Sequence, residues 1–262
     1  MESIQVNPKK DKRMIVRFLF QHFLMVMAAL MVSMAFIACD EPDDNGGGGD
    51  GGGNGNGNGG GGSTVVTGKR IKTIVHSSTE GPVRFEYSYN IDGTTKQIDA
   101  YDVSSKLVMR DMITCNPDGT WATLEQTDLA YAGTVLVLNH SYDGNKKPLK
   151  IEGTLSLEGV VIGAVAFDFT FQNGRKISQK QVVTTMGILA QELQSEFMYD
   201  ANGRRTKTII TPAIGATVEY TRTYNTDGTV QRVNVSGTSP YTMDFTWENG
   251  NSTVNMDDIW GW

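Results

Sequence analysis

Cysteine and histidine are scarce in this chain of 262 residues, which contains two cysteines and three histidines. Cys39 has no sensible disulfide partner elsewhere in the chain. The histidines, His22, His76 and His140, stand far apart and have no neighbour at the spacing that a metal site uses. We therefore predict neither a metal site nor a cofactor.

Catalytic motifs and strong basic charge are also missing. The chain has no nucleophile elbow, no P-loop and no metalloprotease motif. Its formal net charge is −6, so nothing is basic enough to indicate a nucleic-acid partner. No stretch beyond residue 63 shows a convincing helical period with caps. These absences favour a non-enzymatic protein with an all-β domain.

Asp-Gly and Asn-Gly pairs recur seven times between residues 64 and 262, with 22 to 30 residues between successive glycines. Glycine supplies the positive φ that a tight reversal needs, and Asp or Asn tolerates the strained position beside it. The pairs therefore predict seven hairpin corners in one repeat. They are Asp92-Gly93, Asp118-Gly119, Asp143-Gly144, Asn173-Gly174, Asn202-Gly203, Asp227-Gly228 and Asn249-Gly250.

Apolar residues alternate with polar ones between these corners, as in Val83, Phe85, Tyr87 and Tyr89. A period of two is typical of a strand with one buried face and one wet face. The pattern predicts a long antiparallel up-and-down meander of about 15 strands. With no helices to cover its apolar face, the meander must roll into a flattened barrel or half-barrel, either plugged by aromatic side chains or holding a cavity.

Four corners share a longer form, Asp or Asn first and Gly fourth, which is typical of a type I turn. A four-residue loop at the first corner pairs Phe85 with Ile98, and the same loop near the sixth corner pairs Tyr220 with Val233. A three-residue loop would instead place Phe85 opposite Asp99, which burial of one face disfavours. We therefore predict the four-residue loop.

Other corners are predicted differently. A two-residue turn at Asn249-Gly250 pairs Phe245 with Val254. Neither loop length pairs the apolar residues well around Asn173-Gly174, so its register stays open. Residues 185–190 are predicted to end a strand rather than to form a turn of helix.

Residues 1–38 carry a basic region followed by an apolar run from Phe23 to Ala38, which ends in small residues before Cys39. This order predicts a secretory signal. Residues 39–63 are mostly Gly, Asn and Asp, which bury nothing and predict a flexible linker with a reach of roughly 25–30 Å. Residues 64–262 are then predicted to form a single all-β domain.

Phe36-Ile37-Ala38-Cys39 resembles a bacterial lipobox, which implies that Cys39 becomes the lipidated first residue of the mature chain. The acidic run from Asp40 to Asp44 resembles the surface-export signal of Bacteroides-type lipoproteins, although Asp directly after the cysteine resembles an inner-membrane retention signal of enteric bacteria. The expected location is the outer membrane, lipid-anchored and facing the cell surface, with the periplasmic face as the alternative.

Tyr199-Asp200-Ala201-Asn202-Gly203-Arg204 resembles the YD-repeat unit Tyr-Asp-x-x-Gly-Arg of large bacterial shell proteins. Together with the lipobox and the linker, residues 64–262 resemble a Bacteroides-type surface lipoprotein family of unknown function with a porin-like β fold. This resemblance implies an architecture and supplies no functional residues. At the position of Tyr89, Tyr199 and Tyr224 in other repeats stands Cys115, which is predicted to be a small buried hydrophobe.

The expected function is that of a lipid-anchored, non-enzymatic binding or structural module with a glycan or protein partner. Exposed aromatic residues are the candidate binding residues, namely Trp260, Trp262 and Tyr131. One alternative is a carrier of an apolar ligand inside the barrel. Another is a membrane-integral barrel with its apolar face toward lipid, against which Arg222 on the Tyr220 face argues. A glycan hydrolase is the last alternative.

Overall fold

The computed structural model describes residues 66–78, 81–130 and 133–252. These residues form fourteen antiparallel strands in one sheet, which closes into a barrel because β1 pairs with both β2 and β14. The predicted all-β up-and-down meander is confirmed. The strands are β1 (Val66–His76), β2 (Arg84–Tyr89), β3 (Thr95–Tyr101), β4 (Leu107–Cys115), β5 (Trp121–Asp128), β6 (Thr134–Tyr142), β7 (Pro148–Leu157), β8 (Val160–Gln172), β9 (Arg175–Thr185), β10 (Ile188–Tyr199), β11 (Arg205–Pro212), β12 (Val218–Tyr224), β13 (Val230–Ser236) and β14 (Tyr241–Ser252).

Six of the seven predicted corners join strands at one end of the barrel, which we call the glycine end. Its connections are residues 90–94, 116–120, 143–147, 173–174, 200–204 and 225–229. The remaining connections form the opposite end. They are residues 77–83, 102–106, 129–133, 158–159, 186–187, 213–217 and 237–240.

At the first corner the predicted four-residue loop is one residue too long, and the predicted partner of Phe85 is wrong by two residues. Asn90 and Thr94 close the turn with a 2.9 Å backbone hydrogen bond, as a three-residue loop would. Lys96 is then the extra residue of a β-bulge, so Phe85 lies opposite Ala100. The bulge returns the apolar side chains to one face, which is why the shorter loop is compatible with burial.

The same combination of turn and bulge recurs at the corner between β12 and β13. Tyr220 lies opposite Val235 rather than Val233, again a displacement of two residues from the predicted pairing. Because the side-chain period of a strand is two, the predicted face is retained although the predicted partner is wrong.

The predicted corner at Asn249-Gly250 is wrong, because β14 continues through both residues as a strand. Asn249 lies opposite Lys69, and Phe245 lies opposite Ile74 rather than Val254. Closure of the barrel gives β14 a second partner strand, and a Cβ on Gly250 would approach the Nε atom of Arg70 to 2.7 Å. Glycine here permits a close approach and does not mark a reversal.

Two further connections are tight turns. Asn173 and Gly174 form a two-residue turn in which both take positive φ, 50° and 81°, which settles the register that the sequence left open. Residues 185–190 end one strand, as predicted, and also begin the next. Met186 and Gly187 form the turn between them, with φ values of 51° and 76°.

Candidate functional site

The candidate residues of the sequence analysis lie outside the described residues. This holds for Cys39, the predicted lipidation site, and for the aromatic residues Trp260, Trp262 and Tyr131. Their assignments, like the predicted domain boundaries, stay predictions. The site must therefore be sought on the faces and ends of the barrel.

Side chains at the ends of three strands bind the backbone of the preceding strand at the glycine end. In each case a tyrosine hydroxyl donates a hydrogen bond to the carbonyl of the residue that precedes a β-bulge. The bonds run from Tyr89 to Ile71 at 2.8 Å, from Tyr199 to Lys176 at 2.7 Å and from Tyr224 to Arg205 at 2.6 Å. These tyrosines tie successive hairpins together.

Cys115 occupies the equivalent position on β4. Its Sγ atom lies 3.8 Å from the carbonyl oxygen of Thr95, which also precedes a bulge. The side chain is partly buried, and burial raises the pKa of the thiol. Cys115 is therefore a short, weak substitute for the tyrosines of the other repeats.

The Tyr-Asp-x-x-Gly-Arg motif serves the same architecture. Asp200 Oδ1 accepts hydrogen bonds from the backbone N–H groups of Asn202 and Arg204, both at 2.9 Å. The Arg204 side chain forms an ion pair with Asp200, and its guanidinium lies 5.0 Å from the centre of the Tyr224 ring. Asp200 and Arg204 therefore stabilise the turn, and Arg204 also contacts the next hairpin.

The outward face of the barrel carries ion pairs between neighbouring strands. Charged side chains on this face alternate with inward apolar ones, which places them in water. The cross-strand pairs are Arg70–Glu248, Asp99–Arg110, Lys180–Glu192, Lys207–Glu219 and Arg232–Asp244. An outward face of this kind suits contact with water.

The inward face is filled by side chains. Many of its large apolar residues are only 0–8% exposed, including Phe85, Phe167, Leu124 and Met243. Side chains that water does not reach pack against one another, as in an ordinary protein core.

One wall of the interior, on β9 to β12, is cationic. Lys176, Arg205 and Arg222 are 0%, 1% and 5% exposed. The Lys176 Nζ atom and the Arg205 Cζ atom each lie 4.6 Å from the centre of the Phe197 ring, and Arg222 donates a 3.4 Å hydrogen bond to Thr208. Aromatic faces stabilise cations in such positions.

Arg222 and Tyr220 share this inward face, and both are buried. In the sequence, the position of Arg222 on the Tyr220 face argues against an apolar face turned toward lipid. The structure turns that face inward, so Arg222 does not bear on contact with lipid, while the ion pairs named above lie on the outward face.

A single acid lies on the opposite wall among the described buried residues. Asp111 Oδ1 accepts a 2.9 Å hydrogen bond from Gln126, while its Oδ2 atom has no hydrogen-bond partner within the described chain. Burial raises the pKa of this carboxyl to about 7. Asp111 therefore exchanges its proton near neutral pH.

The two histidines of the barrel are shielded from water. Burial lowers the pKa of His76 to about 4 and that of His140 to about 3, so both are neutral at pH 7. The His76 ring stacks on Tyr241 at a centroid distance of 5.5 Å, and His140 lies 6.1 Å from Trp121. Both are packing residues of the interior.

Within residues 66–78, 81–130 and 133–252, no group of three or more His, Cys, Asp or Glu side chains is arranged to hold a metal ion. Over the same part of the chain, no helix is long and apolar enough to cross a membrane.

Exposed apolar side chains concentrate at the opposite end. Of the thirteen large hydrophobic residues that are exposed in the described chain, eight lie at this end. Five of them occupy the neighbouring tips of the β7–β8 and β9–β10 hairpins, and we call these five the apolar rim. They are Val160, Val161, Met186, Ile188 and Leu189.

The β9–β10 tip projects past its neighbour. β10 begins at Ile188, yet its first pair with β11 joins Leu193 to Pro212. Met186 donates a 2.9 Å backbone hydrogen bond to Ile162 and so joins this tip to the β7–β8 hairpin. The apolar rim is therefore one continuous edge built from two bonded hairpins.

The apolar rim was not predicted from the sequence, although the sequence carries a signal for it. Val160-Val161 and Ile188-Leu189 are adjacent apolar pairs, which interrupt the period of two. One member of each pair must leave the buried face of its strand. The structure shows that both members are exposed.

No protein-family model and no curated protein matches the chain. Solved structures that resemble it include a porin-like protein from Bacteroides vulgatus, with 12% identity, a TM-score of 0.45 and alignment over 67% of this chain and 97% of that one. A porin-like protein from Bacteroides uniformis has 12% identity, a TM-score of 0.40 and alignment over 68% of this chain and 96% of that one. At these TM-scores neither structure supports or contradicts the porin-like resemblance, which stays a prediction. At this similarity they assign no function, and the lipoprotein and YD-repeat parts of the resemblance stay predictions.

Proposed function

We propose that this chain is a lipid-anchored, non-enzymatic binding module that stands in water beside an outer membrane. The observation that carries the proposal is the distribution of side chains over the two faces of the barrel. Ion pairs such as Asp99–Arg110 occupy the outward face, while apolar side chains fill the inward face. A barrel of this kind works through its outer surface and its ends.

This distribution weakens the two barrel alternatives. A membrane-integral barrel needs an outward apolar band of about 25 Å, where charged side chains are costly. A carrier of an apolar ligand needs a cavity of about 300–1,000 Å³. Many inward side chains of the described strands are almost inaccessible to water, which suits a core better than a binding chamber.

The predicted lipidation of Cys39 and the linker of residues 39–63 supply the anchor in this proposal. The partner is a glycan or a protein that meets the barrel from outside. In the sequence Tyr131 follows β5, and Trp260 and Trp262 follow β14. These aromatic residues remain the candidate contacts of the binding module.

Lipid labelling of the full chain in a Gram-negative host tests the anchor. We expect Cys39→Ala to abolish incorporation of radiolabelled palmitate. The matched control, Cys115→Ala, removes the other cysteine and should leave labelling unchanged. Equal labelling of the wild type and Cys39→Ala would contradict the lipid anchor.

Extraction of the membranes tests the position of the barrel. A protease site inserted among residues 45–62 allows the lipid to be cut from the barrel in place. After cutting, sodium carbonate should release the barrel into the supernatant. A cut barrel that stays in the pellet would show that its strands lie in the bilayer, and the proposal would then be wrong.

A further inference from the structure

We infer that the apolar rim inserts into the lipid bilayer that holds the predicted anchor, and that this contact sets which end of the barrel faces the membrane. The inference rests on the proposed function, because the lipid on Cys39 brings the barrel to the bilayer. The apolar rim is then a second membrane contact, in addition to the acyl chains on Cys39.

The composition of the two tips is the first support. The side chains of the apolar rim are 58% to 72% exposed. Across residues 157–162 and 185–190, the only charged residue is Glu158. The next charges on these hairpins include the outward ion pair Lys180–Glu192, which lies behind the tips. An apolar edge followed by a charged collar matches the change from acyl chains to headgroups and water.

The kinds of side chain favour lipid over a protein partner. Energetically dominant residues at protein interfaces are enriched in Trp, Tyr and Arg. The apolar rim contains only Val, Ile, Leu and Met. Contiguous apolar surface of this kind marks an interaction site, and aliphatic side chains need no specific partner geometry in the acyl region of a bilayer.

The shape of the edge is the third support. Because β10 extends from Ile188 to Leu193 before it pairs with β11, the β9–β10 tip projects beyond the end of β11. A projecting tip reaches into a surface without bringing the charged outward face of the barrel with it. The exposed Ile214 in the next connection lies at the same end.

The predicted linker is long enough for this orientation. β1 begins at Val66 at the glycine end, so the linker joins the barrel at the end away from the apolar rim. The eleven residues of β1, at about 3.3 Å each and a tilt of about 40°, give the barrel a height of roughly 28 Å. The predicted reach of the linker is about the same.

Fluorescent labels on the lipidated full chain test the inference. An environment-sensitive dye is attached to Ile188→Cys in a Cys115→Ala background, and the protein is reconstituted in vesicles of phosphatidylethanolamine and phosphatidylglycerol. The matched control carries the dye at Ile91→Cys, a fully exposed position in a glycine-end turn. We expect a blue shift and several-fold stronger quenching by quencher-bearing lipids at position 188 than at position 91.

A second variant keeps the test decisive if the dye itself drives insertion. With the dye at Val160→Cys, the changes Met186→Ser, Ile188→Ser and Leu189→Ser should reduce lipid quenching several-fold without detaching the protein from the vesicles. Equal quenching at positions 188 and 91 in lipidated protein would overturn the inference and leave the anchor intact. A chain that incorporates no palmitate would instead overturn the proposed function. Crosslinking of position 188 to a protein, with no lipid quenching, would also overturn the inference.

Discussion

At the glycine end of the barrel, five of the six connections have five residues, and in each of these five an Asp side chain accepts a hydrogen bond from the backbone N–H of the last residue. At the opposite end the connections range from two to seven residues, and many of their exposed side chains are apolar. Tyrosines join neighbouring hairpins at the first end. The apolar rim lies at the second.

This contrast indicates a division of labour. The repeated turns, bulges and tyrosines fix the register of successive hairpins, so they act on stability and closure. The connections of the opposite end hold few such devices and leave side chains available for contact. Substitutions at the two ends should therefore affect different properties, stability at the glycine end and association at the opposite end.

The largest effect should come from Phe197→Ala at the glycine end. The ring is buried and lies under both Lys176 and Arg205. Its loss removes core packing and the aromatic face that two buried cations use, at a cost of about 3–5 kcal/mol in unfolding free energy. Urea denaturation measures this loss of unfolding free energy. The exposed neighbour Met198→Ala is the control, expected within about 0.5 kcal/mol of wild type. Equal losses would contradict the role of the ring.

The next largest loss of unfolding free energy is expected for Tyr224→Phe. This change removes the 2.6 Å hydrogen bond to the Arg205 carbonyl and leaves that carbonyl shielded from water, so we expect a loss of about 1–2 kcal/mol. Tyr101→Phe at the opposite end is the control, because its hydroxyl meets the outward side chain of Glu86, where water can replace it. A larger loss for Tyr101→Phe in urea denaturation would reverse the comparison.

Asp200→Ala should follow, with a loss of about 1 kcal/mol, since it removes two backbone hydrogen bonds and the ion pair with Arg204. Asp102 makes the same two backbone contacts in a turn of the opposite end, to Ser104 and Lys106. Asp102→Ala should therefore cost less than Asp200→Ala, and the difference should shrink at high salt as the ion pair is screened. A difference that grows with salt would exclude the ion pair as its cause.

A smaller effect is expected on the stability of the two ends at low pH. Among the described residues, four aspartates in glycine-end turns have a lowered pKa, against one at the opposite end. The four are Asp92, Asp118, Asp200 and Asp227, and the one is Asp102. For Asp92, hydrogen bonds from Thr94 lower the pKa. A carboxyl whose folded pKa lies below its unfolded value stabilises the fold above that unfolded value, about 4, and loses this contribution as the pH falls through the folded pKa.

Hydrogen exchange checks the acid prediction residue by residue. As the pH falls from about 5 to about 2, amides near the glycine end should lose protection before those near the opposite end. The rates are corrected for the intrinsic dependence of exchange on pH. Uniform loss along the strands would show that these turn carboxylates do not control local opening.

The smallest effect on stability is expected at the apolar rim. Met186→Ser with Ile188→Ser exchanges two exposed side chains, so the unfolding free energy should change by less than about 0.5 kcal/mol. Leu193→Ser, a buried position on the same strand, should be clearly destabilising in the same assay. A large loss for the double change would show that the rim is part of the core.

Much of the fold could be predicted because its corners are local. Asp or Asn followed by Gly marks six reversals, and alternation assigns the buried face of strands such as Phe85 to Tyr87. Two features could not be predicted in this way. The bulge at Lys96 is set by sheet pairing, and the turn at residues 102–106 places Ser105 at a φ of 63° without glycine.

Closure and the apolar rim depend on contacts that are distant in sequence. Asn249-Gly250 carries a hairpin signal, yet pairing between β1 and β14 holds it in a strand. The exposure of Ile188 depends on how far β10 extends past β11, which follows from the stagger of the strands around the barrel. Adjacent apolar pairs indicate that a side chain leaves the buried face, and only the strand pairing shows where it goes.

Pairing of the first strand with the last brings Val66 opposite Ser252, so the first and last described residues of the chain are neighbours in space. A circularly permuted chain is therefore within reach: a short bridge joins residue 252 to residue 66, and new termini open between Glu158 and Gly159. Such a molecule would keep the fourteen ladders while changing the order in which the chain meets them. It would also move the point of attachment from one end of the barrel to the other.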